Sequence, residues 1–152
     1  MKKDRIVDII SSLFIVLFLY TGINKLFNQS LFKFTLYKLH FLDHHQEWIA
    51  WFIPLVELLI AASLLIPLFK ENHMLRKWGL MASFILMAIF TLYVGYMLKY
   101  VQDLPCSCGG IIQKLSWHQH LYFNALFSVF ALLGMLLNRE IAKPAGRPLF
   151  TS

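Results

Sequence analysis

Charged residues are scarce in this sequence. Of its 152 residues, 14% are Asp, Glu, Lys or Arg, whereas an ordinary soluble domain carries about 25%. Hydrophobic residues make up 59% of the chain, and the mean hydropathy is +0.62. One core of this size cannot hide so much apolar surface. The composition therefore excludes an ordinary soluble domain and predicts an integral membrane protein whose main partner is the lipid bilayer.

Several functional signatures are also missing. The sequence has no nucleotide-binding loop, and Ser116, although close to His118, has no third group that would orient it as a nucleophile. The net charge of +6 does not indicate nucleic acid, because the basic residues flank apolar runs. In such positions they act as topology signals and contact lipid headgroups. Nucleotide-dependent enzymes, hydrolases and nucleic-acid binding are set aside.

Four segments are long and apolar enough to cross a bilayer as helices, at about 6–27, 48–69, 78–98 and 121–138. They predict an all-α, four-transmembrane-helix bundle over residues 1–142, with a short tail at 143–152. No small-x-small cleavage site follows the basic N-terminus, so we expect the first span to be retained. Between the first two spans, residues 31–41 predict an interfacial helix with Lys33 and Lys38 reaching towards water.

The basic residues predict the orientation. Nine lie on one side of the predicted spans: Lys2, Lys3, Arg5, Lys70, Arg76, Lys77, Arg139, Lys143 and Arg147. Five lie on the other side: Lys25, Lys33, Lys38, Lys99 and Lys114. Cytoplasmic loops are enriched in Lys and Arg, so both termini should be cytoplasmic and the loop between the third and fourth spans should face outwards.

Polar residues inside the spans predict a polar intramembrane pocket. Glu57 lies nine residues into the second span, roughly 12–14 Å along the helix. A carboxylate at that depth is normally paired or faces a polar cavity. Lys25 and Asn124 come to similar depths on the first and fourth spans, so the pocket should contain Lys25, Glu57 and Asn124. The alternative is a hydrogen-bond cluster that only locks helix packing; for Asn124 this alternative is preferred, and for Glu57 the two are balanced.

The only two cysteines, Cys106 and Cys108, lie one residue apart in the outward-facing loop. A Cys-x-Cys disulfide closes a small, strained ring, which favours thiol–disulfide exchange over a structural role. His120 would then assist proton transfer as the third catalytic residue. Two alternatives stay open. In the first, the cysteines are inert or form a disulfide without a redox function. In the second, they form a zinc or copper site with His118 and His120.

The sequence resembles the DoxX-like superfamily of small four-helix membrane proteins, and more closely its MauE branch, named for methylamine utilisation. The resemblance covers nearly the whole chain. It rests on four pieces: Leu17-Phe-Leu-Tyr-Thr-Gly-Ile-Asn-Lys25, Ile53-Pro-Leu-Val-Glu57, Pro105-Cys-Ser-Cys-Gly-Gly110, and Leu115-Ser-Trp-His-Gln-His120 running on to Asn124.

This resemblance implies a redox-associated protein of the bacterial inner membrane. The MauE branch is implicated in maturing a disulfide-rich periplasmic enzyme, so Cys106 and Cys108 would be a redox pair with a periplasmic thiol or disulfide protein as partner. Relatives tied to quinone oxidation suggest a quinone as cofactor, by analogy of fold. The competing function class is a non-enzymatic membrane subunit or assembly factor whose loop docks a partner.

Overall fold

A computed structural model describes residues 2–37, 45–70, 72–100 and 116–141, and within these ranges the chain forms helices and no strand. The described ranges contain five helices: α1 (Lys2–Phe27), α2 (Gln29–Tyr37), α3 (Gln46–Phe69), α4 (His73–Tyr100) and α5 (Trp117–Ile141). All but α2 are long and apolar enough to cross a membrane. The prediction of an all-α, multi-pass membrane protein is confirmed. The Cys-x-Cys loop and the tail at 143–152 lie outside the described residues.

The long helices extend beyond the predicted spans, because hydropathy marks only the part of a helix that suits hydrocarbon. Helix α4 begins at His73 rather than near residue 78, and the Asn72 side chain caps it by accepting a hydrogen bond from the Leu75 amide at 3.0 Å. At the start of α5, the Ser116 hydroxyl accepts from the Gln119 amide, and the Gln119 side chain accepts from the Ser116 amide. This reciprocal capping box fixes where α5 begins.

Helix α2 overlaps the segment predicted to form an interfacial helix. Phe32, Thr35 and Leu36 are buried on one side of it, whereas Phe34 and Tyr37 are exposed. The buried side packs on α3. Residues 31–37 of the predicted helix are therefore helical as part of Gln29–Tyr37, whereas residues 38–41, including Lys38, lie outside the described residues.

The four long helices form an up-and-down bundle. Helix α1 packs mainly on α3, and α4 packs mainly on α5. The core contains Phe14 and Phe18 of α1, Leu64 of α3, and Leu80 and Met87 of α4. We call the end where α4 finishes and α5 begins the loop end, and the opposite end the Arg76 end.

A buried arginine joins three helices at the Arg76 end. Arg76 of α4 donates to the Asn138 side chain of α5 at 2.7 Å and to the Asp8 carboxylate of α1 at 2.9 Å. His73 lies 3.0 Å from the same guanidinium. Sequence analysis interpreted Arg76 only as a topology signal. Its second role went undetected because its partners are 62 and 68 residues away along the chain.

Candidate functional site

A cavity of about 650 Å³ occupies the half of the bundle nearer the loop end. All five helices contribute to its walls, which are mainly aliphatic and aromatic. The polar side chains that line it are Thr21, Lys25, Glu57, Tyr93, Tyr96, His120 and Asn124. A mostly apolar cavity of this size with a few converging polar groups is typical of a site for a small molecule.

An ion pair lies in the wall of this cavity. Lys25, in the last turn of α1, donates to Glu57 Oε1 of α3 at 2.6 Å, and the two side chains are 11% and 1% exposed. The Lys25 ammonium also lies 5.8 Å from the centre of the Phe32 ring and 5.2 Å from that of Phe90. Both distances are within cation–π range. Each charge inside the apolar bundle is therefore compensated by the other, as an intramembrane carboxylate requires.

The second oxygen of this carboxylate, Glu57 Oε2, is buried and has no close hydrogen-bond partner within the described part of the chain. The Thr21 hydroxyl of α1 interacts with the carboxylate, but it donates its one proton to the Leu17 carbonyl at 3.0 Å. A buried acceptor without a donor loses its hydration and receives nothing in exchange. The cavity thus contains an acceptor that a bound molecule with a donor group would satisfy.

His120 and Asn124 line the same cavity from α5, one helical turn apart. His120 is buried, in the first turn after the Ser116 capping box. The structure thus brings Lys25, Glu57, His120 and Asn124 around one space. Their functional roles stay predictions.

The cavity reaches the bundle surface beside α4. Of its lining residues, Ile89, Leu92 and Tyr96 are exposed, at 54%, 74% and 44%. They recur at helical spacing and so form one stripe, which we call the α4 stripe. In a protein spanning a bilayer, this apolar surface faces lipid tails. The cavity is therefore bordered by a surface of the bundle that contacts lipid.

Cys106 and Cys108 lie outside the described residues, but the helices that carry their loop are described. Helix α4 ends at Tyr100, one turn after Tyr96, and α5 begins at Trp117, one turn before His120. Since Tyr96 and His120 both line the cavity, the segment 101–115 is attached to cavity-lining helices at both of its ends.

The two histidines of the alternative metal site differ in their burial. His118 is exposed whereas His120 is buried, because residues two apart point to different sides of a helix. Among the described residues, no group of three or more His, Cys, Asp or Glu side chains could hold a metal ion. The full ligand set, which includes Cys106 and Cys108, stays untested.

Sequence reasoning missed the aromatic side of the site. Phe32 and Phe90 flank the Lys25 ammonium, yet neither differs in sequence from the many other apolar residues around it. The one available signal was the amphipathic pattern of α2, which indicated that this short helix has a buried side.

Four long apolar helices, with a cavity that opens on their lipid-facing surface, define a multi-pass membrane protein. The family model described as methylamine utilisation protein MauE matches residues 3–137, and the chain belongs to this family. The predicted MauE-like assignment is thereby confirmed. Comparison with curated proteins and with solved structures gave no match.

Proposed function

We propose that this protein is an inner-membrane redox protein that takes part in maturing a periplasmic enzyme of methylamine utilisation. It exchanges electrons between a periplasmic thiol or disulfide protein and a lipid-soluble quinone. The observation that carries this proposal is the cavity beside the α4 stripe, which has the Lys25–Glu57 pair in its wall and is lined by both helices that the cysteine loop connects, α4 and α5. The family assignment supports the biological setting.

The exchange with the partner proceeds through Cys106 and Cys108. A thiolate of one cysteine attacks the partner's disulfide, and the other cysteine then displaces the partner's second sulfur. The partner gains two thiols, and a Cys106–Cys108 disulfide forms here; the reverse sequence oxidises the partner. Either reaction transfers two electrons and two protons. A disulfide between Cys-x-Cys residues closes a small, strained ring and is therefore labile.

The cavity fits a quinone in size and in lining. Its apolar walls suit the hydrocarbon tail, and the α4 stripe gives access from the bilayer. A quinone bound there would supply the acceptor for the two electrons and two protons that are released as the two thiols become a disulfide. Lys25 and Glu57 bind and orient the polar head, and His120, at the start of α5, transfers protons on the side of the cysteine loop.

The distribution of basic residues supports the orientation required by this function. The Arg76 end carries the larger number of Lys and Arg residues and would be cytoplasmic, together with both termini. The loop end, and with it Cys106 and Cys108, would then face the periplasm, where disulfide chemistry is available.

Trapping experiments test the proposal. One of the two single variants, Cys106→Ser or Cys108→Ser, should accumulate a mixed disulfide with the partner, because it keeps the attacking thiol and lacks the resolving thiol. Ser107→Ala, in the same loop, should trap nothing and serves as the matched control. The mixed disulfide would be detected on non-reducing gels of intact cells. Maturation that proceeds normally in the Cys106→Ser/Cys108→Ser variant would refute exchange and favour a non-enzymatic docking subunit.

A further inference from the structure

The hydrogen bonds of Glu57 are unequally distributed between its two oxygens. Oε1 accepts from Lys25 at 2.6 Å, whereas Oε2 has no partner within the described part of the chain. An ionised carboxylate can accept hydrogen bonds but cannot donate them. The unsatisfied group in the wall of the cavity is therefore an acceptor, and it requires a donor from the ligand.

Lys25 does not favour a ligand carbonyl as strongly as Glu57 favours a ligand hydroxyl. Its ammonium is already bonded to Oε1 and lies over the rings of Phe32 and Phe90. A ligand carbonyl could accept from one of the two remaining N–H groups of Lys25. It would, however, leave Glu57 Oε2 without a donor and bring its own lone pairs near the carboxylate. A ligand hydroxyl avoids both penalties, because it donates to Oε2 while its oxygen can still accept from Lys25.

We infer that the cavity binds the reduced, hydroxyl-bearing form of its lipid-soluble carrier more tightly than the oxidised, carbonyl form. The difference resides in a hydrogen bond from the carrier's hydroxyl group to Glu57 Oε2. This inference rests on the proposed function and adds to it a choice between the two forms of the carrier.

The preference has a consequence for electron flow. Preferential binding of the reduced form makes the bound carrier a stronger electron acceptor than the free carrier. One hydrogen bond to a charged group corresponds to at least about tenfold in affinity. For a two-electron couple, tenfold is about 30 mV in reduction potential. Binding thus favours the direction in which two thiols of the cysteine pair become a disulfide and the carbonyl carrier becomes a hydroxyl carrier.

Binding measurements on the full chain test the inference without relying on activity. The Cys106→Ser/Cys108→Ser variant, in lipid nanodiscs, removes electron transfer during the measurement. Decylubiquinone and its reduced form, decylubiquinol, would be titrated separately without oxygen by isothermal titration calorimetry. We expect decylubiquinol to bind at least about tenfold more tightly, from the strength of one charge-assisted hydrogen bond.

Three further variants in this background locate the preference. In Glu57→Gln the affinities for decylubiquinol and decylubiquinone should differ by no more than about threefold, because the amide can both donate and accept hydrogen bonds. Lys25→Met/Glu57→Gln removes both charges together, avoids an unpaired buried lysine, and should lower the ratio equally. Glu47→Gln changes an exposed carboxylate that does not line the cavity, and it should keep the original ratio.

The outcomes distinguish a wrong preference between the two forms from a wrong assignment of the carrier site. Equal affinities for the two forms, or tighter binding of decylubiquinone, would overturn the inference and leave the carrier site in place. A tenfold ratio that persists in both Glu57 variants would also overturn it, because the selectivity would then arise elsewhere. Failure of both forms to bind would overturn the carrier site itself, and the inference with it.

Discussion

The buried pair of Lys25 and Glu57 yields the most direct energetic prediction. The Lys25→Met variant would leave the Glu57 carboxylate charged and unpaired at 1% side-chain exposure. Removing one partner of a buried pair typically lowers the free energy of unfolding by about 3–5 kcal/mol. Glu57→Gln should destabilise by a similar amount, because it leaves a lysine ammonium between two rings without its anion.

The double variant Lys25→Met/Glu57→Gln should be more stable than the sum of the single changes predicts, because neither side chain then remains as an uncompensated charge. We expect an interaction free energy of about 2 kcal/mol or more in a double-mutant cycle. The assay is reversible unfolding in detergent micelles, followed by circular dichroism, with the free energy of unfolding compared across the four proteins.

The pair of Lys33 and Glu47, separated by 3.8 Å, supplies the matched control, because its side chains are 29% and 78% exposed. Lys33→Met and Glu47→Gln form an equivalent cycle at a solvated site, where pairs are worth no more than about 1 kcal/mol. If the Lys25 and Glu57 changes prove additive, the two charges do not depend on each other, and the description of the pair is wrong.

Three further predictions concern packing and access. Arg76→Leu should lower the free energy of unfolding by about 2 kcal/mol in the same assay, since Asn138 and Asp8 lose a buried donor; an unchanged stability would show that this contact is dispensable. Gly79→Ala should destabilise by about 1–3 kcal/mol, because its new Cβ would lie 2.6 Å from a leucine of α3, whereas Gly95→Ala, with 3.9 Å to its nearest neighbour, should have little effect. Leu92→Trp, on the α4 stripe, should slow decylubiquinone binding several-fold in stopped-flow measurements. The control is Leu126→Trp, at an exposed position of α5, and equal binding rates in the two variants would argue against lateral access.

Sequence reasoning reached the membrane helices because hydropathy and span length are local properties. It reached Lys25 and Glu57 for a related reason, since a carboxylate placed deep in an apolar run requires compensation. The depth of each residue along its own helix is enough for this prediction. In the structure, Lys25 donates a hydrogen bond directly to Glu57.

The sequence did not predict features that depend on which face each helix presents to its neighbours. The burial of Arg76 required knowing that Asp8 and Asn138 face the same point from α1 and α5. The α4 stripe shows the same limit, since Ile89, Leu92 and Tyr96 have no sequence mark that separates cavity-facing from lipid-facing residues. Helix ends also depended on single capping residues, such as Asn72, rather than on hydropathy.

The thiol state of Cys106 and Cys108 in intact cells tests the central claim most directly. Cells would be quenched with acid and labelled with maleimide–polyethylene glycol, with and without prior reduction, and with a membrane-impermeant thiol blocker. The proposed function predicts cysteines that are protected until a reductant is added and that the impermeant reagent then blocks from outside. Thiols that label freely under every condition would contradict a stored disulfide, and thiols reached only from the cytoplasmic side would contradict the proposed orientation.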